Sequence, residues 1–145
     1  EILAPASVVW QILTDLPRYG EWNPFCVNAQ STLEIGAPIH MTLVNYVSPG
    51  QLVPNVEHVC AVESEKLLSW ELLDNPEWPY PARRDQMITS TGPDRCIYQS
   101  TDAFHGPNGI HVMRFAGAWV ERAFNDTAKA LKVRAEAVYA KSTNS

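Results

Sequence analysis

The stretch LTDLPRYGEWNPF, residues Leu13–Phe25, places two prolines, one glycine and three aromatic residues within thirteen positions. Apolar residues at helical spacing precede it and predict a helix over Ala4–Thr14. Pro17–Trp22 is compatible with a second short helix, which Pro24 ends. Surface loops do not need so much aromatic mass, so the stretch predicts two short helices that cover an apolar interior.

The remainder of the chain reads as a run of strands followed by one long helix. The predicted strands are Cys26–Leu33, Ile39–Tyr46, Asn55–Glu63, Lys66–Leu73, Arg83–Ser90 and Cys96–Phe104. Connections of hairpin length favour an antiparallel sheet. Ile110–Lys141 lacks an internal proline and predicts a helix with one apolar stripe. The stripe consists of Met113, Gly117, Val120, Phe124, Ala128, Leu131, Ala135 and Val138. Of these, Leu131, Ala135 and Val138 are expected to belong to the hydrophobic core rather than to a binding site. The pattern indicates an α+β fold in which a curved sheet buries the helix.

Length and charge restrict the class of protein. The 145 residues suit one domain, and the net charge of -5 argues against binding to nucleic acid or to an anionic membrane surface. No signal peptide or apolar run of membrane length is found. Three dispersed cysteines predict reduced thiols and a cytoplasmic location. The chain begins with Glu1 rather than Met, which suggests that residues before it are missing.

Four stretches resemble one superfamily. They are ILAPASVVWQILTDLPRYGEWNPF (residues 2–25), VESEKLLSWEL (Val62–Leu72), TDAFHG (Thr101–Gly106) and AFNDTAKALKVRAE (Ala123–Glu136). Together they resemble the SRPBCC superfamily, also called START-like or Bet v 1-like, and within it the polyketide cyclase/dehydrase-type group. The resemblance implies a helix-grip fold, with about seven antiparallel strands around the C-terminal helix and a deep apolar cavity. It also implies a single domain over residues 1–141, with its first strand truncated, and a tail over residues 142–145.

In that fold the two short helices close one end of the cavity, which makes the opening stretch a candidate wall for a ligand. Tyr19, Trp22 and Phe25 would supply aromatic surface and Asn23 a polar group. The alternative is that Trp22 and Phe25 only pack the helices onto the sheet. Further candidate substrate-binding residues are Met41, Trp70, Asp85, Met87, Phe104, Met113, Gly117, Val120 and Phe124. Gly117 leaves room either for a ligand or for close contact between helix and sheet.

The candidate catalytic residues are His58, Arg83 and Asn23. His58 is suited to acid–base work because a histidine titrates near neutral pH. Arg83 and Asp85 share a strand face with Met87, which predicts that the pair faces the cavity and orients a carbonyl or phenolate; the alternative is a surface ion pair. A metal site formed by Asp102, His105 and His111 matches no ligand spacing, so no metal or cofactor is predicted.

Two classes of function remain open. The first is a cofactor-independent enzyme that folds a polyketide-like or other apolar, oxygenated molecule and promotes its cyclisation, dehydration or isomerisation. The second is a carrier or sensor that binds the same kind of hydrophobic or aromatic ligand without chemistry. A co-chaperone-like interaction protein would need an exposed partner surface that the sequence does not indicate. Either of the first two could be a monomer or a homodimer, with no insertion into a membrane.

Overall fold

A computed structural model describes the backbone of residues 1–45, 50–72, 82–104 and 109–143, and all of their side chains except those of 104 and 109–118. The chain begins with helix α1, Ala6–Thr14, and a 3-10 helix, Leu16–Glu21. The strands are β1 (Cys26–Gln30), β2 (Pro38–Val44), β3 (Leu52–Glu63), β4 (Leu67–Leu72), β5 (Ala82–Gly92) and β6 (Arg95–Phe104). Helix α2, Gly109–Thr143, closes the described chain.

This order of elements is the predicted one, with shifts at their ends. Strand β1 stops at Gln30 because Leu33 takes a left-handed conformation with φ of 60° and donates its N–H to the hydroxyl of Ser31. Strand β3 begins three residues early, at Leu52. Helix α2 extends to Thr143 and so includes two residues of the predicted tail.

The sheet is an antiparallel meander in the order β1-β2-β3-β4-β5-β6. About seven strands were expected, and the described ranges contain six. Ile2 adds one antiparallel bridge to Cys96 at the β6 edge, with N···O distances of 2.8 and 3.0 Å. The pairing shifts register in β1, β3 and β5. Such irregularities bend a strand and increase its twist, which suits a sheet curled into a half-barrel.

The two N-terminal helices are anchored by buried apolar residues at helical spacing. Ala6, Val9 and Leu13 of α1 are buried, as are Leu16 and Tyr19 of the 3-10 helix. The 3-10 helix lies very close to β1. A Cβ added to Gly20 would stand 2.9 Å from the carbonyl oxygen of Val27.

The C-terminal part of α2 buries a row spaced by four residues, Ala123, Thr127, Leu131 and Ala135. Leu131 and Ala135 were predicted in this core, whereas Val138 was wrongly placed there because it is 38% exposed. Thr127 can be buried because its hydroxyl donates to the carbonyl of Ala123 at 2.8 Å. The predicted stripe followed hydrophobicity and therefore passed over this polar residue.

Candidate ligand-binding face

Strand β5 defines the two faces of the sheet. Ala82, Arg84, Gln86 and Ile88 are buried, and the residues between them are only partly buried. The guanidinium carbon of Arg84 lies 4.1 Å from the centre of the Phe124 ring on α2. We call the side that carries Arg84, Gln86 and Ile88 the inner face, because it is the side that α2 covers, and the opposite side the outer face.

The predicted cavity position of Arg83, Asp85 and Met87 is wrong, because these residues alternate with the buried set and so lie on the outer face. Arg83 Nε is 2.9 Å from Asp85 Oδ1, and the two side chains are 39% and 31% exposed. The hydroxyl of Ser69 donates to the same carboxylate at 2.5 Å. Although desolvation opposes it, these two hydrogen bonds hold the pKa of Asp85 below its ordinary value. The pair is the surface ion pair that the sequence left as an alternative.

His58 also lies on the outer face. It alternates with Glu57 and Val59 on β3 and pairs with Glu71 of β4, which in turn pairs with Arg83. A period of two therefore carries His58 away from α2. The structure does not bring His58 to the inner face, and its proposed acid–base role has no partner there among the described residues.

Asn23 acts on the backbone at the start of β1. Its side-chain oxygen accepts the N–H groups of Phe25 and Cys26, both at 2.9 Å, and the residue is 6% exposed. This arrangement satisfies two buried donors at the point where the chain leaves the 3-10 helix. The carbonyl oxygen of the side chain is thus engaged in local structure.

The three aromatic residues of the opening stretch pack in two places. Tyr19 is buried, donates its hydroxyl to the carbonyl of Leu13, and meets the ring of Trp22 edge-on at 5.2 Å. Burial raises the pKa of Tyr19. Phe25 lies 6.3 Å from Phe124 and 6.4 Å from Trp119, measured between ring centres. Phe25 therefore belongs to the aromatic group that covers Arg84, and Trp22 keeps its indole N–H buried without a hydrogen-bond partner among the described residues.

Arg84 is a buried cation enclosed by rings. It is 7% exposed, with Phe124 over its guanidinium and Trp70 at 5.7 Å. The aromatic faces stabilise the charge through cation–π attraction. Its Nε donates to Ser100 Oγ at 3.1 Å, but within the described part of the chain Nη2 has no partner. Buried donors are nearly always satisfied, so this N–H requires an explanation.

Gln86 lies two residues further along the same face and is 2% exposed. Tyr98 donates its hydroxyl to Gln86 Oε1 at 2.8 Å, which fixes the orientation of the amide. Gln86 Nε2 is buried and has no acceptor in the described ranges. Burial raises the pKa of Tyr98, although Arg84 and a hydrogen bond with Ser100 oppose this, so the phenol stays protonated and remains a donor.

Glu57 of β3 shares the inner face with Val59, which pairs with Trp70. Burial, assisted by the charge of Asp102, raises the pKa of Glu57 to about 7, against the opposing effects of Arg84 and Asn55. Asn55 holds the carboxyl through a hydrogen bond of 2.7 Å to Oε2. A carboxyl poised near neutral pH is able both to accept and to return a proton.

Of the other predicted binding residues, some lie within the described part of the structure and some lie outside it. Met41 and Trp70 are buried on the inner face, which is the orientation predicted for Trp70. Val120 and Phe124 are partly buried on α2. The side chains of Phe104, His105, His111 and Met113 and the surroundings of Gly117 lie outside the described residues. The substrate-binding roles of Phe104, Met113 and Gly117 stay predictions.

Glu57, Arg84, Gln86 and Tyr98 were missed as site residues. The alternation of residues along β5 could have identified Arg84 and Gln86, because both share a face with the apolar residues Ala82 and Ile88. The argument from Met87 selected the opposite face. A buried arginine runs against the usual expectation that charged residues point to solvent.

Two kinds of feature are absent from the described residues, a metal-binding cluster and a membrane-spanning helix. These residues contain no group of three or more His, Cys, Asp and Glu side chains placed to hold a metal ion. Likewise, within the ranges that the structure covers, no helix combines the length and apolarity needed to cross a membrane.

A comparison with family models supplies the relationship. The model described as "Polyketide cyclase / dehydrase and lipid transport" matches residues 1–136. The chain belongs to this family. A comparison with curated proteins finds no match.

Solved structures agree at the level of the fold. Zhui aromatase/cyclase from Streptomyces sp. R1128 has a TM-score of 0.70 at 16% identity, over 93% of this chain and 88% of that one. A START superfamily protein from Mycobacterium smegmatis has a TM-score of 0.66 at 21% identity, over 94% and 93%. A norcoclaurine synthase mutant from Thalictrum flavum has a TM-score of 0.63 at 16% identity, over 92% and 88%. The helix-grip architecture is thereby shown, whereas identities this low say nothing about the reaction.

Proposed function

We propose that this polyketide cyclase/dehydrase family member is a cofactor-independent enzyme. It would bind an apolar, oxygenated small molecule against the inner face and promote cyclisation, dehydration or isomerisation by moving protons. The observation that carries the proposal is the presence, on one buried face, of a carboxyl with a pKa of about 7 and a guanidinium with an unpartnered N–H. The name of one structural neighbour, the Zhui aromatase/cyclase, supports a ring-forming reaction.

The two groups divide the chemistry between them. Ionised Glu57 takes a proton from the carbon beside a substrate carbonyl, and Arg84 Nη2 donates a hydrogen bond to the oxygen that becomes negative. The enolate carbon then attacks a second carbonyl of the same molecule. Protonated Glu57 returns its proton to the new alkoxide, or to a hydroxyl that leaves as water. Every proton that the carboxylate removes is given back, and neither ring closure nor loss of water changes the net number of electrons on the substrate, so the cycle needs no redox partner.

The surroundings favour such a step because they are apolar and rigid. Phe124 and Trp70 lie against the guanidinium, Phe25 packs beside Phe124, and Asn55 donates a hydrogen bond to the carboxyl. Fixed donors in a site that excludes water stabilise developing charge without reorganisation. Glu57 and Arg84 thus replace His58 and Arg83 in the proposed roles.

Binding without chemistry is the second candidate. An unpartnered buried donor also suits a protein that only retains an oxygenated ligand, and the family description includes lipid transport. The two candidates differ in what they require of Glu57. A carrier tolerates its loss, whereas the enzyme does not.

The test follows the fate of small molecules over time. We would incubate the purified protein with a small-molecule extract of its source organism and analyse bound and free fractions by mass spectrometry. The expected result is a compound that disappears while an isomer, or a species lighter by water, accumulates beyond the amount of protein. We expect Glu57→Gln and Arg84→Met to lower this turnover at least roughly 100-fold, the typical contribution of a positioned acid–base group.

The matched controls lie beside the proposed groups on the outer face, where Arg83→Met and His58→Gln should retain turnover. Retention of an unchanged compound in stoichiometric amount would favour the carrier. Loss of turnover in the outer-face variants, with Glu57→Gln unaffected, would contradict the assignment of roles.

A further inference from the structure

Arg84 and Gln86 are neighbours on the inner face of β5, two residues apart, and each has a buried N–H group without a partner among the described residues. Residues two apart on a strand project from the same side, and both side chains are long. Tyr98 touches both of them: its hydroxyl donates to Gln86 Oε1 at 2.8 Å, and the Arg84 guanidinium interacts with it as well. The free Nη2 and Nε2 hydrogens therefore belong to neighbouring groups rather than to separate parts of the core.

Other contacts hold both side chains in place. Ser100 accepts a hydrogen bond from Arg84 Nε, Tyr98 donates one to Gln86 Oε1, and two aromatic rings lie against the guanidinium. An acceptor at the edge of the guanidinium and amide groups could use the unpartnered Nη2 and Nε2 hydrogens. Leaving two buried donors unpaired costs stability, which a bound acceptor would recover.

We propose that Arg84 Nη2 and Gln86 Nε2 form a two-donor oxyanion site that binds the oxygen of a planar phenolate or enolate. The catalytic meaning of this site rests on the proposed function, in which an enolate is formed, and Gln86 becomes a further catalytic residue of that reaction. Its binding chemistry rests on geometry alone. One donor is cationic and the other neutral, which favours a single negative oxygen over a neutral one.

Such a site should change the ionisation of a bound phenol, an effect that is not expected if Arg84 and Gln86 only stabilise the fold. A phenol bound there should lose its proton more readily than in water, because both donors stabilise the phenolate. Tyr98 and Ser100 would act as positioning residues. Ionised Glu57 and Asp102 oppose a negative ligand, so neutralising Glu57 should strengthen the preference.

The experiment uses three stable phenols that absorb differently when ionised: 4-nitrophenol, 4-nitro-1-naphthol and 6-cyano-2-naphthol. Absorbance titrations across pH give the affinity of each ionisation state for the whole chain. We expect at least one of them to bind as phenolate roughly ten- to a hundred-fold more tightly than as phenol. We expect this ratio to rise in Glu57→Gln.

Two substitutions at Gln86 separate donor loss from misfolding. Gln86→Glu keeps an oxygen for the Tyr98 hydroxyl but replaces the free donor by an acceptor, and should abolish the phenolate preference. Gln86→Met should reduce it, and Arg84→Lys should weaken it. Arg83→Met on the outer face and Gln99→Met at an exposed position of β6 should leave the ratio unchanged.

Every result decides the inference. It is wrong if none of the three phenols binds better as its phenolate, or if the preference survives Gln86→Glu in a protein that is folded by circular dichroism. An ordered water that satisfies both donors, together with equal binding of phenol and phenolate, would also overturn it. The phenols undergo no reaction, so this outcome is independent of whether turnover is found in the extract.

Discussion

Asn23 stabilises the exit from the 3-10 helix, and its replacement tests that role at the scale of one residue. Asn23→Ala leaves the buried N–H groups of Phe25 and Cys26 without their acceptor. We expect a loss of about 1–3 kcal/mol in the free energy of unfolding. Urea denaturation measures it, with Asn28→Ala on the exposed side of β1 as the control. A stable Asn23→Ala protein with lower turnover would instead restore the predicted role of Asn23 as a polar handle.

Glu57 should make stability depend on pH in a defined direction. Its pKa rises from 4.5 to about 7 on folding, so the folded state holds the proton more firmly. The stability associated with protonated Glu57 is therefore fully present below pH 4.5, and the free energy of unfolding falls as the pH rises from 4.5 through about 7. Relative to the parent protein, Glu57→Gln should gain up to roughly 3 kcal/mol between pH 5 and pH 8.

Chemical denaturation at these two pH values provides the comparison. The exposed Glu63→Gln at the end of the same strand is the control, since it should show no such difference. An equal effect of Glu57→Gln at both pH values would mean that the carboxyl is not desolvated in the folded protein.

The inner-face polar residues show where residue-scale prediction failed. Alternation on β5 was visible in the sequence, but it defines two faces without saying which one is buried. Met87 indicated one answer, and Ile88 with Ala82 the other. Burial of Arg84 depends on Phe124, which is 40 residues away in sequence and comes into contact only through folding. No local pattern contains that contact.

Contact between the 3-10 helix and β1 can be tested at the scale of elements through Gly20. An added methyl group would meet the Val27 carbonyl at 2.9 Å, and a backbone atom cannot move aside alone. We expect Gly20→Ala to cost about 1–3 kcal/mol in the free energy of unfolding, as overpacking does. In Gly92→Ala the nearest atom, at 3.3 Å, belongs to the flexible side chain of Arg95, so thermal denaturation should show a smaller loss. Equal losses would mean that the helix does not press on the strand.

Elements themselves were largely predictable because each has a local cause. Pro17 and Pro24 delimit the helix pair, and short turn sequences separate the strands. The buried row of α2 was less predictable. Thr127 is buried because its hydroxyl bonds to its own helix, and Val138 is exposed because it lies off the row spaced by four, which continues through Tyr139. Hydrophobicity alone detects neither effect.

At the scale of the whole molecule, residues 1–3 contact both strand β6 and the C-terminal half of helix α2. Ile2 pairs with Cys96 of β6, Leu3 donates its N–H to Glu136 at 2.9 Å, and Lys132 donates to the carbonyl of Glu1 at 2.9 Å. Lys132 and Glu136 also form an ion pair with an N···O distance of 2.7 Å. The family resemblance implied only a truncated first strand at the start of the chain. The contacts of residues 1–3 with α2 require the helix to have already packed, so no pattern within residues 1–3 could predict them.

Glu136 should therefore control the opening of this N-terminal segment. The Leu3 N–H and Lys132 hold the pKa of Glu136 below its ordinary value, so its contribution is present above that value and is lost as pH falls through the lowered pKa. We expect Glu136→Ala to speed hydrogen exchange of the Ile2 and Cys96 amides several-fold at neutral pH, while the centre of β5 is unchanged. The exposed Glu121→Ala on the same helix is the control. Uniform acceleration throughout the sheet would show instead that Glu136 supports the global fold, and unchanged exchange at Ile2 would show that the bridge to Cys96 holds the segment alone.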